Sequence, residues 1–198
     1  MKAFGSALFA GFVIGLSCVS CLLAESKIAG AFLFCFGLFT ICAFKLLLFT
    51  GKVGYIDHGD DFVPLAIIWL GNLLGTVLCA LLISAVKPEI THLFEQTVFL
   101  RLTQTTHKTV ILSMLCGCLM YIAVESHRIL SERSVFSFIG VLLCVPTFIL
   151  CGYEHCVADM FYLSAAGHLR DSFMHLLLVT FGNAVGAILT RQIMMKLR

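Results

Sequence analysis

The sequence predicts an all-α membrane protein. It expects six transmembrane helices in two inverted three-helix repeats, with helices 2 and 5 broken. Three observations carry this. First, the 198 residues are 60% hydrophobic and 12% charged, with a mean hydropathy of +1.04, whereas a soluble domain is about 45–50% apolar and about 25% charged. Second, uncharged runs long enough for a helical span of roughly 20 residues follow one another along the chain. Third, the pattern Gly-Asn-x-x-Gly occurs twice, late in each half. The composition also excludes disorder and leaves no room for a large extramembrane domain. A formal net charge of +2 gives no basis for nucleic-acid binding.

Span 1 is read at residues 3–24, which carry no charge until Glu25. A lysine followed by an apolar run resembles a signal peptide, but the run is long for one, and it is read as a mature helix. Span 2 begins at residues 28–44 and is interrupted. Lys45 follows, and a lysine at bilayer depth costs a few kcal/mol unless it snorkels or faces protein. Thr50-Gly51-Lys52-Val53-Gly54 is a poor helix interior, so the break is placed around 48–54. After a polar loop at 57–61, span 3 is the uncharged stretch 62–86. Residues 87–108 are mixed and polar, the longest connection. Span 4 is placed at 109–124, and a charged loop runs from 125 to 133. Span 5, residues 134–153, runs straight into Glu154, His155 and Asp159, so its break is placed around 152–159, with 160–166 apolar again. A turn at 167–171 leads to span 6, residues 172–190, and a basic tail. The chain reads as one transmembrane domain, with a first repeat at about 1–86 and a second at about 108–198.

Three spans per half place the second half upside down relative to the first. Both termini then share one side. With the termini cytoplasmic, seven Lys/Arg face inward and five outward, Lys45 being left out as intramembrane, which matches the positive-inside bias. The repeated motif is Gly71-Asn72-Leu73-Leu74-Gly75 in span 3 and Gly182-Asn183-Ala184-Val185-Gly186 in span 6. Small residues four apart let helices approach closely, and the asparagines can bond across them. Inverted repeats with discontinuous helices mark transporters and channels whose site lies near the midplane. Irregular backbone at that depth is tolerated only where it is buried in protein or lines a water-filled cavity.

Ten cysteines lie in apolar stretches and read as buried small hydrophobes. Cys156, with polar neighbours, is the one to watch. No metal or cofactor is expected. Gly152-Tyr153-Glu154-His155-Cys156-Val157-Ala158-Asp159 is the densest polar cluster among apolar residues. It reads either as a solute or proton site or as a short extramembrane loop. His155 suits the first, because its charge can change near neutral pH. Glu154 and Asp159 are expected to bond backbone amides freed at the break. The histidines at 58, 92, 107, 127, 168 and 175 read as solvated. Phe34, Phe49 and Phe148 lie near the breaks, where a pore constriction could form, although most phenylalanines read as core or lipid-facing.

Leu48-Phe49-Thr50-Gly51, the two Gly-Asn motifs and the stretch from Gly152 to Met160 together resemble the formate/nitrite transporter family, which also contains hydrosulfide channels. The family's Asn near the second break is Asp159 here, and its usual glutamate before Leu-Phe-Thr is Leu47. The resemblance implies an aquaporin-like protomer, a homopentamer in the inner membrane with one pore per protomer, lipid around it, and small monovalent anions as solutes. It implies that Thr50 and His155 face each other at the midplane. It implies a cytoplasmic constriction of Phe34, Leu38 and Phe148 and a periplasmic one at Leu48. The vestibule cation falls on Arg101, with Lys108 a second candidate. The expected function is therefore a channel or transporter for weak-acid anions such as formate, nitrite or hydrosulfide, with His155 giving a proton or hydrogen bond, and not an enzyme. The alternatives are a channel for water or small neutral solutes, or a non-transporting membrane subunit.

Overall fold

The computed structural model describes residues 2–57, 61–130 and 136–197. His58 and Arg133, placed in loops by the sequence, lie outside them. Among the described residues the regular structure is helical. Four helices are long and apolar enough to cross a membrane: α1 (Lys2–Leu22), α4 (Phe62–Val86), α6 (Thr106–Leu130) and α9 (Phe173–Leu197). Between them lie two pairs of shorter helices. The first pair is α2 (Lys27–Ala43) and α3 (Phe49–Lys52), and the second is α7 (Ile139–Leu150) and α8 (Cys156–Ala165). One helix, α5 (Thr91–Leu102), falls where the sequence suggested only a long polar connection. Its mixed composition hid the apolar face that buries Phe94 and Val98.

Local chemistry sets the ends of these pieces. Ser26 caps α2, its hydroxyl accepting from the Ala29 N–H at 3.2 Å, which satisfies one of the donors a helix start leaves free. α7 stops at Gly152, whose φ of +70° lets the Tyr153 N–H reach back to the Phe148 carbonyl at 2.9 Å. α2 stops in the same way. Lys45 adopts φ +53°, and the Leu46 N–H bonds the Ile41 carbonyl at 2.9 Å.

Glycines let the long helices touch backbone to backbone. In α4, a Cβ at Gly75 would overlap the Leu8 carbonyl of α1. In α9, a Cβ at Gly186 would overlap the Met114 carbonyl of α6. Gly11 and Gly117 meet the backbones of Asn72 and Asn183 in turn. Interfaces of small residues are how helices gain packing where lipid supplies no hydrophobic contrast. α1 thus packs on α2 and α4, and α6 on α7 and α9. The second helix of each short pair then docks across the molecule: α8 lies against α1 and α4, and α3 against α6 and α9.

The ends of the bundle can be told apart. The Leu47 N–H bonds the Ser6 hydroxyl at 3.1 Å, and Arg191 pairs with Asp57 at 2.7 Å. The stretch after α2 therefore lies at the end that holds both termini. At the opposite end the Lys27 ammonium bonds the Leu150 carbonyl at 3.2 Å.

Candidate pore site

The two breaks in regular helix, between α2 and α3 and between α7 and α8, are built from the same parts. After α2 the chain runs extended to Leu48, and the next N–H, of Phe49, donates to Asn72 Oδ1 at 2.8 Å. The Asn72 amide donates to the Leu47 carbonyl at 3.0 Å and to Ala7 of α1 at 2.7 Å. After α7 the chain runs extended to His155, and the Cys156 N–H donates to Asn183 Oδ1 at 2.8 Å. The Asn183 amide donates to the Glu154 carbonyl and to Ser113 of α6, both at 2.8 Å. Both asparagines are fully buried. The expectation that Glu154 and Asp159 satisfy the freed backbone is therefore corrected. A carboxylate only accepts, whereas a break frees both N–H and C=O groups, and an amide side chain serves both.

The site forms where the breaks meet. Thr50 Oγ1 lies 3.0 Å from His155 Nε2, with both residues buried. His155 also caps α8, its Nδ1 accepting from the Ala158 N–H at 3.2 Å. With Nδ1 acting as acceptor, the neutral ring carries its proton on Nε2 and donates it toward Thr50. The threonine hydroxyl is left with a proton of its own to offer. The imidazole stacks on Phe148, centroids 5.7 Å apart, and Phe148 meets Phe34 edge-on at 5.7 Å. Leu38 and Leu48 are buried in the same core.

The structure thus brings Thr50, His155, Phe34 and Phe148 together, with Leu38 and Leu48 beside them. It reverses the sides expected for the constrictions. α2 enters at the Lys27 end, and Phe148 lies two residues from Leu150 at that same end. The aromatic pair stands away from the termini and Leu48 stands toward them. If the termini are cytoplasmic, the phenylalanines are the outer constriction.

Arg101 is not a free vestibule cation. Its guanidinium pairs with both Glu154 and Asp159 and lies over the Tyr162 ring, 5.1 Å from the centroid. Glu154 also accepts from the Gln104 amide at 2.7 Å. α5 positions Arg101 and so anchors the second break. Lys108, the other candidate, is exposed on the first turn of α6 and joins none of these contacts. His175, expected in solvent, is half-buried. It offers a ring nitrogen to a group with Glu154 and Asp159, within 4.8 Å of one another. Asp159 Oδ2 and His175 Nε2 have no hydrogen-bond partner among the described residues. Those three could hold a cation by spacing, but Arg101 already serves as the cation for both carboxylates. Cys156 is fully buried, at the first turn of α8.

On the terminal side, Leu48 and Gly51 border a cavity of about 510 Å³. Lys45, Lys52, Tyr55, His127 and Arg128 also line it. Arg128 pairs with Glu125 at 2.8 Å, and the Tyr55 hydroxyl donates to Glu125 at 2.8 Å. Arg191 holds the turn beneath by bonding the Gly54 and Ile56 carbonyls.

The formate/nitrite transporter family model matches residues 1–196. The chain is 32% identical over 162 residues to the nitrite transporter NirC of Salmonella typhimurium, covering 71% of this chain and 60% of that protein. It is 32% identical over 155 residues to NirC of Escherichia coli K12, covering 72% and 57%. The chain thus spans about three fifths of the length of these curated relatives. Among solved structures it superposes on an FNT family ion channel with TM-score 0.86 at 22% identity, over 99% of this chain and 89% of that one. It superposes on a pentameric formate channel with formate bound with TM-score 0.80 at 20% identity, over 99% and 94%. With the family's model matched almost from end to end, this chain belongs to the formate/nitrite transporter family.

Proposed function

We propose that this chain is a channel or transporter for small monovalent anions of weak acids, such as formate, nitrite or hydrosulfide. It would act in the cytoplasmic membrane as a homopentamer with one pore per protomer. The Thr50–His155 contact carries the reading: two hydrogen-bonding side chains meet at the junction of two interrupted helices, against an apolar wall of Phe34 and Phe148. The names of the relatives, nitrite transporters and a formate channel, support the solute class.

In this reading the molecule is a single domain of two inverted repeats, about 1–86 and 108–198. The four long helices are spans 1, 3, 4 and 6, and the pairs α2/α3 and α7/α8 are the broken spans 2 and 5. The matched asparagine bonds support this. The basic residues Lys45, Lys52, Arg128 and Arg191 at the terminal end favour cytoplasmic termini.

The geometry favours a mechanism in which His155 gives a hydrogen bond and not a whole proton. To release a proton and stay neutral, the ring must first be protonated on Nδ1, which would break its bond to Ala158. The Thr50 hydroxyl and the His155 N–H instead hold a small acid or its anion between the two apolar constrictions. A bare anion is expensive in such surroundings, so the solute crosses the phenyl pair best as the neutral acid, and large or divalent ions are excluded.

The test is a stopped-flow assay in proteoliposomes loaded with a pH dye and challenged with formate, nitrite and hydrosulfide. The wild type is expected to give rapid, solute-specific pH changes, reduced at least tenfold in His155→Leu and in Thr50→Val. Equal flux in wild type and variants, indifferent to a proton gradient, would favour a channel for water or neutral solutes. No flux from correctly folded protein would favour a non-transporting subunit.

A further inference from the structure

We infer that Asp159 and His175 form a proton-binding pair, on the side away from the termini, whose charge sets how readily the Thr50–His155 site accepts an anion. The ligand is a single proton shared between a carboxylate and an imidazole. The inference rests on the function proposed above and adds to it a titrating group other than His155.

Three observations carry it. The first is a charge imbalance. Arg101 pairs with both Glu154 and Asp159, so one guanidinium serves two carboxylates and one negative charge is left over. Both carboxylates are buried, and a buried charge without a full partner is costly. One more proton brings the group to neutrality. The second observation is unused bonding capacity at the same place. Asp159 Oδ2, His175 Nε2 and Gln104 Oε1 have no hydrogen-bond partner among the described residues. Arg101 engages Oδ1 of Asp159, and Oδ2 remains available to accept. Ligand atoms of Glu154, Asp159 and His175 lie within 4.8 Å of one another, a span that a single water closes. A protonated imidazole donates from both ring nitrogens, and a charge-assisted bond to a carboxylate is among the strong ones.

The third observation is position. His175 lies in the first turn of α9, whose far end carries the C-terminus, and it is half-buried, so a proton reaches it from the Lys27 end. Asp159 lies one turn along α8 from His155, its N–H bonded to the His155 carbonyl at 2.9 Å. The charged groups acting on the pair are Arg101 of α5 and Glu154 of the second break. Tyr162 of α8, Cys116 of α6, Cys18 of α1 and Cys79 of α4 add phenol and thiol groups nearby. His107 and Lys108 of α6, and His168, Arg170 and Asp171 before α9, are exposed. With the proton bound, the charges of Arg101, Glu154, Asp159 and His175 sum to zero. With it lost they sum to one negative charge. A unit charge roughly 8 Å from the solute, at an effective permittivity of about 30, changes its local concentration about tenfold. The deprotonated pair therefore repels an anion from Thr50 and His155, and affinity falls as pH rises.

The test uses the full chain, first in detergent and then in proteoliposomes. His175→Gln breaks none of the ion pairs described above, and in Asp159→Asn the amide oxygen still accepts from Arg101. Imidazole nitrogen resonances are followed from about pH 5 to about pH 9, the range around a histidine's charge change, and that of His175 is the one missing from His175→Gln. Its titration midpoint is expected to fall by about one pH unit or more in Asp159→Asn, because the opposite charge that favours the protonated ring is gone. In proteoliposomes the half-saturating formate concentration is taken relative to wild type at each pH, which cancels the changing fraction of formic acid. Asp159→Asn should bind about tenfold tighter than wild type at the alkaline end, and His175→Gln about tenfold weaker at the acid end. A merely structural defect would move both variants the same way at every pH. A His175 midpoint equal in wild type and Asp159→Asn would overturn the pair, with or without transport. A midpoint that moves when sodium replaces choline would give the place to a metal cation and overturn the proton. Ratios that stay flat across pH would overturn the pair's hold on the anion while leaving the transport function standing. Absence of formate, nitrite and hydrosulfide flux in the wild type would overturn the proposed function and with it the pair's role in anion entry, while the resonance decides the pair itself.

Discussion

Replacing Asn183 by alanine isolates what holds the extended turn between α7 and α8. The side chain accepts one backbone N–H, of Cys156, and donates to two backbone carbonyls, of Glu154 and Ser113, all at 2.8 Å. It is fully buried, so no solvent replaces it in the native structure. A buried group that loses its partner costs about 1–3 kcal/mol, while interhelical hydrogen bonds in membranes average nearer 0.6 kcal/mol because the unfolded chain also finds partners. Three groups at an intermediate value give about 3 kcal/mol. At roughly 2–4 °C per kcal/mol for a chain of this size, the midpoint of thermal unfolding in detergent should fall by about 6–12 °C. Asn72→Ala removes a matching set, from Phe49, Leu47 and Ala7, and should cost the same within about 1 kcal/mol. The assay is thermal unfolding followed by intrinsic fluorescence or by loss of the monodisperse gel-filtration peak. If either variant loses less than 2 °C, or one is neutral while the other unfolds, the asparagines are not the pins of the two breaks.

Other outcomes follow from the same structure. Gly75→Ala and Gly186→Ala drive a Cβ into a backbone carbonyl of the neighbouring helix. Each should destabilise by about 1–3 kcal/mol, whereas Gly5→Ala, whose Cβ meets nothing within 4 Å, should leave the unfolding midpoint unchanged. Arg101→Met strands two buried carboxylates and should cost about 3–5 kcal/mol. The double substitution Arg101→Met/Asp159→Asn should recover part of that loss in the same thermal assay. Phe148→Ala removes one ring of the edge-on pair with Phe34, so proteoliposomes carrying it should admit larger weak acids such as lactate at a rate closer to that of formate.

The four helices long and apolar enough to span were legible because uncharged length and hydropathy are one-dimensional properties. The ends of α2 and α7 fall where glycine, lysine and acidic residues interrupt an apolar run. Thr50, His155, Phe34 and Phe148 were reached through motif order, and the structure puts them within contact distance. The roles of the acidic residues were not legible. Whether Glu154 and Asp159 bond backbone or a cation depends on where α5 lies, and nothing in a polar connecting stretch declares that a helix there will carry Arg101 into the core. The sides expected for Phe34, Phe148 and Leu48 do not agree with the expected cytoplasmic termini, because motif resemblance gives neighbours and not direction. Following α2 from Lys27 to Ala43 would have settled the direction. His175 gave no signal, since a histidine near a span end reads the same in solvent or beside buried carboxylates. A hint for Lys45 did exist. It stands seven residues before Lys52, as Gly152 stands seven before Asp159, but the left-handed turn itself appears only in three dimensions.

Leu48 and His155 sit one residue before the two pinned amides, Phe49 and Cys156, in otherwise matching turns. Neither side chain bonds the asparagine that fixes its own turn. The two positions differ in one respect: Leu48 can be exchanged without unpicking its turn, whereas His155 also caps α8 by accepting from the Ala158 N–H. Drift at Leu48 can change the buried surface close to Thr50 while the turn that carries it stays fixed. At His155 the same drift would also cost α8 the side chain that accepts at its first turn, so the two positions are not equally free to vary.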